Sequence, residues 1–185
     1  TVGSGTLILT ADNTYRSHTV IRTGAVLQLG AGGKAGTIGG PYDDGFGGIG
    51  LAHVENGGTV VINRSNDFTI ANSFEGYFDW DIGTLVPGRL VHEGTGTTTL
   101  SGDANFGAGV TISHGTLQIG DGTGAGTLKG DVDIAAGAKL VFFSGPGVTY
   151  GDNNVSGDGS VRYIGSGTFV LQGINAYTGG TTVRN

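Results

Sequence analysis

The chain has 185 residues, 40 of them glycine, with no cysteine, one tryptophan, three prolines and a net charge of −6. Glycine at about three times its usual ~7% share, without a strict triplet period, excludes collagen, and 37% hydrophobic against 13% charged residues excludes a disordered tail. The missing cysteines exclude disulfides, thiolate nucleophiles and cysteine-ligated metals, and the acidic balance argues against nucleic acid or an anionic membrane surface as partner.

What remains suits short strands joined by tight turns: Val, Ile, Leu and Thr favour the pleated conformation, and glycine reaches positive φ without steric cost. The first predicted strand is Thr6-Leu7-Ile8-Leu9, led in by Gly3-Ser4-Gly5. Asn13-Thr14-Tyr15 follows, then Thr19-Val20-Ile21, Gly24-Ala25-Val26-Leu27-Gln28-Leu29-Gly30 and Gly36-Thr37-Ile38. Residues 41–50 interrupt this course. Val61-Ile62 and Ser73-Phe74-Glu75-Gly76 resume it, and residues 77–87 interrupt it again.

The opening pattern then returns about 90 residues later. Gly94-Thr95-Gly96-Thr97-Thr98-Thr99-Leu100 leads to Asn105-Phe106, Val110-Thr111-Ile112, Gly115-Thr116-Leu117-Gln118-Ile119-Gly120 and Gly126-Thr127-Leu128. Val132-Asp133-Ile134, Val141-Phe142 and Asn154-Val155-Ser156-Gly157 complete this second unit. A third copy starts at Gly165-Ser166-Gly167-Thr168-Phe169-Val170-Leu171 and runs through Asn175-Ala176-Tyr177 to Thr181-Thr182-Val183. The expected organisation is one segment over residues 1–185, with units at about 3–93 and 94–164 and the start of a third at 165–185.

Alternation of apolar and polar residues gives each strand one buried and one wet face. Equivalent apolar residues recur at about one rung, as Ile112 to Val132 and Ile119 to Leu140. A repeat of this kind favours an all-β, right-handed parallel β-helix (a β-solenoid) with loop insertions over an antiparallel sandwich, and predicts about nine rungs spaced ~4.8 Å apart.

The run Thr168-Phe169-Val170-Leu171-Gln172-Gly173-Ile174-Asn175-Ala176-Tyr177-Thr178-Gly179-Gly180-Thr181-Thr182-Val183 resembles the passenger-associated transport repeat of autotransporters, and Gly115-Thr116-Leu117-Gln118-Ile119-Gly120 is similar to its tail. The first copy departs from it with Arg16-Ser17-His18 where the family has a Gly-Gly turn, and the second, Phe106-Gly107-Ala108-Gly109, is one residue shorter. The resemblance implies a bacterial passenger exported through the periplasm and outer membrane to the cell surface, with its membrane link in a C-terminal β-barrel outside these residues. The opening Thr1-Val2-Gly3-Ser4-Gly5 is no signal peptide, so a leader is likewise expected elsewhere. Passengers of this kind act as adhesins, aggregation factors or toxins.

No catalytic constellation emerges. There is no Gly-x-Ser-x-Gly elbow, and the four histidines, His18, His53, His92 and His114, lie far apart in sequence. Gly40–Gly47 and Gly120-Asp121-Gly122 are faintly similar to calcium β-roll turns but form no tandem array. The expectation is therefore no enzyme, no cofactor and no metal. Recognition is expected in the two insertions, at Tyr42, Asp43, Asp44 and Phe46 and at Tyr77, Phe78, Asp79, Trp80 and Asp81, where aromatics flanked by acids suit a host-cell surface or matrix protein or a glycan. Self-association is an alternative partner. A polysaccharide-active β-helix lyase or hydrolase is the alternative function, requiring Asp79 and Asp81 to converge beside Trp80.

Overall fold

The computed structural model describes residues 1–40, 42–43, 49–50, 53–123 and 126–185. Every regular element among them is a strand, and no helix is long and apolar enough to cross a membrane. The strands coil into a parallel β-solenoid. Its first sheet stacks seven strands in chain order: Thr6–Leu9, Val26–Leu29, Thr59–Ile62, Arg89–His92, Val110–Ile112, Val132–Ile134 and Val155–Gly157. The second sheet runs from Phe68–Ile70 through Thr97–Leu100, Thr116–Ile119, Lys139–Ser144 and Ser160–Gly165 to Thr181–Arg184. The third carries Thr19–Ile21, Val54–Asn56, Phe74–Asp79, Ala104–Asn105 and Leu128–Lys129.

Seven rungs at ~4.8 Å give a rod about 30 Å long rather than the nine rungs the sequence suggests. Rungs are uneven. Thr6 stacks on Val26 and Leu90 on Val110, 20 residues on in each case, whereas Val26 stacks on Thr59 and Thr59 on Arg89 across the two interruptions. The expected register is also off by two residues. Ile112 pairs with Ile134, not Val132, and Ile119 with Phe142, not Leu140. Because side chains alternate with period two, a two-residue error keeps the same residues inside.

The inward positions form ladders. Leu27, Val60, Leu90, Val110 and Val132 stack in register along the first sheet, each at most 2% exposed. Leu100, Ile119 and Phe142 stack in register along the second, each at most 3% exposed. Burying each such side chain stabilises the coil by about 1.5–3 kcal/mol relative to leaving it wet. Phe74 and Phe106 fill the third side with ring centroids 4.9 Å apart, and Phe169 stacks on Phe142 at 4.3 Å.

Corners carry buried asparagines that tie one rung to another. The Asn72 amide donates to the Gly39 carbonyl (3.1 Å), and the Asn153 amide donates to the carbonyls of Leu128 (3.1 Å) and Gly130 (2.6 Å). Backbone at the corners, where the chain turns inward and loses its ladder partners, is satisfied in this way. Arg64, 5% exposed, serves another corner: its guanidinium donates to the carbonyls of Lys34 and Gly36, bonds Asp12 and lies 4.1 Å from the Phe68 ring centre.

Candidate functional site

The second interruption is a β-hairpin leaving the third sheet. Phe74–Asp79 and Thr84–Val86 pair antiparallel, Tyr77 opposite Val86, Phe78 opposite Leu85 and Asp79 opposite Thr84. Its tip closes by the Gly83 amide donating to the Asp79 carbonyl (2.8 Å), with Gly83 at φ 66°. Alternation along the strand divides the aromatics. Tyr77 is buried and Phe78 is partly exposed. Trp80 stands 83% exposed, edge-on to Phe78 with centroids 4.7 Å apart, and Ile82 and Leu85 are exposed beside them.

Of the residues singled out in this hairpin, Phe78 and Trp80 are brought together and Tyr77 is turned away from solvent. The Asp79 carboxylate accepts the Asp81 backbone N–H (3.0 Å), an Asx turn that shapes the tip. Ile82 and Leu85 were missed because neither is aromatic nor flanked by a motif; the signal available was a chain of apolar residues inside an insertion. In the first interruption only the backbone of Tyr42 and Asp43 is described, antiparallel to Gly50 and Ile49. Asp44 and Phe46 lie outside the described residues.

Histidines far apart in sequence are not all apart in space. His18 and His53 sit side by side on the third sheet next to Glu55, all three ligand atoms lying within 4.8 Å of one another. Parallel stacking across one rung brings together two histidines that 35 residues separate.

His92 lies inside the coil at 1% exposure. Its Nδ1 faces the His114 carbonyl (2.9 Å), which only accepts, so Nδ1 carries the proton; Nε2 then accepts from the Thr98 hydroxyl (2.9 Å). Burial pushes its pKa down. With both nitrogens occupied and the side chain buried, His92 is a satisfied core residue.

The three sequence copies share one local course. In the first, Thr6–Leu9 stacks on Val26–Leu29; in the second, Thr97–Leu100 stacks on Thr116–Ile119. The Gln28 amide donates to the Gly30 carbonyl (2.8 Å) and the Gln118 amide to the Gly120 carbonyl (3.0 Å), with both glycines at φ 82°. Asn13 and Asn175 each donate to a carbonyl two residues back. The passenger-associated-transport-repeat family matches residues 2–29, 90–119 and 162–185, the segments that follow this course. These three segments carry the passenger-associated transport repeat. No curated protein and no solved structure matches it. Repeats and coil together fit an autotransporter passenger β-helix, and the family implies a secreted, cell-surface protein.

The repeat is not tied to one side of the coil. Its opening strand lies in the first sheet in copy one and in the second sheet in copy two. In copy three, Thr168–Leu171 pairs with Val148–Gly151 in a separate two-stranded sheet. The departures in the turn are equally visible. Gly109 and Gly180 adopt φ of 105° and 83°, and His18, at the corresponding place in copy one, does not enter that region, so its turn is built differently. Open cavities lie at the two ends of the coil, one lined by Val2, Leu7, Leu9, Tyr15 and Leu27, the other, about 340 Å³, by Phe142, Tyr163, Phe169, Leu171 and Tyr177.

Proposed function

We propose that this chain is the stalk of an extracellular adhesin and that the hairpin around Trp80 is its contact element, directed to a surface protein, matrix protein or glycan of the host or of a neighbouring bacterium. One observation carries the reading: Trp80, Phe78, Ile82 and Leu85 expose apolar surface together on a two-stranded element whose Tyr77 is buried. Exposed single apolar residues are ordinary; a cluster of four on a projecting hairpin suggests a covered surface. A tryptophan face also stacks on the apolar face of a sugar ring, and Asp81 beside it offers hydrogen-bond acceptors. The rung ladders hold this element rigidly, and the same ladders support folding after export.

The enzymatic alternative needs paired carboxylates opening onto a substrate groove. The Asp79 carboxylate is engaged by its own turn, which favours binding over hydrolysis. The test is binding of the purified chain to a panel of matrix proteins and glycans, beside W80A and a W80A/F78A double variant whose folding is verified by circular dichroism. Saturable binding reduced in W80A and lost in the double variant supports the reading. Undiminished binding by both variants would remove the hairpin from it, and binding only to further copies of the chain would replace adhesion with self-association.

A further inference from the structure

We infer that His18, His53 and Glu55 form a binding site for a divalent transition-metal ion of the zinc, nickel or copper(II) class, pinning the first two rungs of the third sheet together.

The site follows from strand geometry. His53 and Glu55 are two residues apart on either side of Val54, which is fully buried, so both side chains point outward on the same face. Thr19 pairs in parallel with Val54, and the Thr19 amide donates to the His53 carbonyl, which sets His18 directly beside His53 on the next rung. The result is His18 Nδ1 at 3.0 Å from His53 Nε2, and His53 Nε2 at 3.7 Å from the Glu55 carboxylate. A tetrahedral ion with bonds of 2.0–2.2 Å holds its ligand atoms about 3.3–3.6 Å apart, between these two separations, and the His18–Glu55 separation, within 4.8 Å, closes onto it by side-chain rotation. The rings meet nearly edge to face, with 80° between their planes, and the two nitrogens are within hydrogen-bond reach of each other, a contact the ion would replace.

Ligand chemistry selects the ion. Two imidazoles and one carboxylate suit zinc, nickel or copper(II), whereas calcium and magnesium require mostly oxygen ligands. A further carboxylate, Glu75, stands in register with Glu55 on the following rung and adds negative charge along the same outer face. The cluster also accounts for the departure of copy one from the repeat. Where copies two and three have the positive-φ glycines Gly109 and Gly180, copy one has an imidazole. The ion would close the longest rung of the third sheet, 35 residues from Thr19 to Val54, where a cross-link offsets the most chain entropy.

The experiment is calorimetric titration of the untagged chain with Zn2+, and visible spectroscopy with Co2+, for the wild type, H18G, H53A, E55Q and H114Q. H18G places there the residue type of the other two copies, so its turn remains foldable. The expected result is one saturable site with a tetrahedral Co2+ band, weakened about tenfold or more in H18G and H53A, less in E55Q, and unchanged in H114Q. Absence of saturable binding, or binding of equal strength in H18G and H53A with their circular dichroism intact, overturns the site. Equal response to Ca2+ would overturn the assignment of ion class.

Discussion

The Tyr15 hydroxyl lies 2.8 Å from the Thr19 hydroxyl, and the same pair recurs 162 residues later, where Tyr177 meets Thr181 at 2.6 Å. In the middle copy the equivalent residues are Phe106 and Val110, both buried against the core. The repeat thus keeps one aromatic at one corner and adjusts its polarity to its depth. At the open ends the ring is partly wet and its hydroxyl has a partner; in the interior the hydroxyl is dispensed with. Chemical unfolding should reflect this. Tyr15→Phe should cost about 0.5–1.5 kcal/mol at most, and Phe106→Tyr about 1–3 kcal/mol because its new hydroxyl is buried unpaired. Adding Val110→Thr to Phe106→Tyr should recover part of that loss, a coupling a double-mutant cycle measures directly.

His92 should make stability depend on pH. Its folded pKa is held below the ordinary 6.5 by burial, so below that value the unfolded chain binds a proton the folded chain resists. Stability from this group is therefore complete above about pH 6.5 and declines as pH falls below it. Urea midpoints measured between pH 8 and 5 should fall more steeply for the wild type than for His92→Gln. Equal slopes would show that the buried imidazole is not the titrating group.

Two glycines separate backbone strain from crowding. Gly120 and Gly137 have nearly the same φ, 82° and 83°. A Cβ at Gly120 would stand 2.3 Å from the Phe143 carbonyl oxygen, whereas one at Gly137 meets nothing within 4 Å. Gly137→Ala should cost only the conformational penalty, about 1–2 kcal/mol, and Gly120→Ala clearly more, since a neighbouring rung must shift. Thermal melts of the two variants give the comparison.

Trp80 is the chain's only tryptophan, and its exposure makes it a direct reporter of the hairpin. Free protein should emit near the wavelength of tryptophan in water, and a bound partner should shift the emission to the blue or quench it. Trp80→Ala should change the unfolding free energy by less than about 0.5 kcal/mol, because an exposed side chain contributes little to the core.

Much of the fold was legible because the signals are local. Alternation in Thr116-Leu117-Gln118-Ile119 identifies a strand with one buried face, and Gly120 marks its turn. The hairpin was legible only as an interruption. That Tyr77 is buried while Phe78 and Trp80 face solvent depends on the phase in which the strand leaves the third sheet. Rung number was overestimated because the long rungs through residues 26–59 and 59–89 each absorb what the repeat length alone counts as more than one turn.

By itself the sequence determined the strand-turn unit, its repetition and the family, since alternation, turn glycines and the Asn–aromatic corner act within about twenty residues. Tertiary structure decided which side of the coil each copy occupies, which aromatics reach solvent, and that His18 stands beside His53. The physical reason is that stacking register is set by summed loop lengths and by core ladders between rungs. Those are relations between segments, which no single segment encodes.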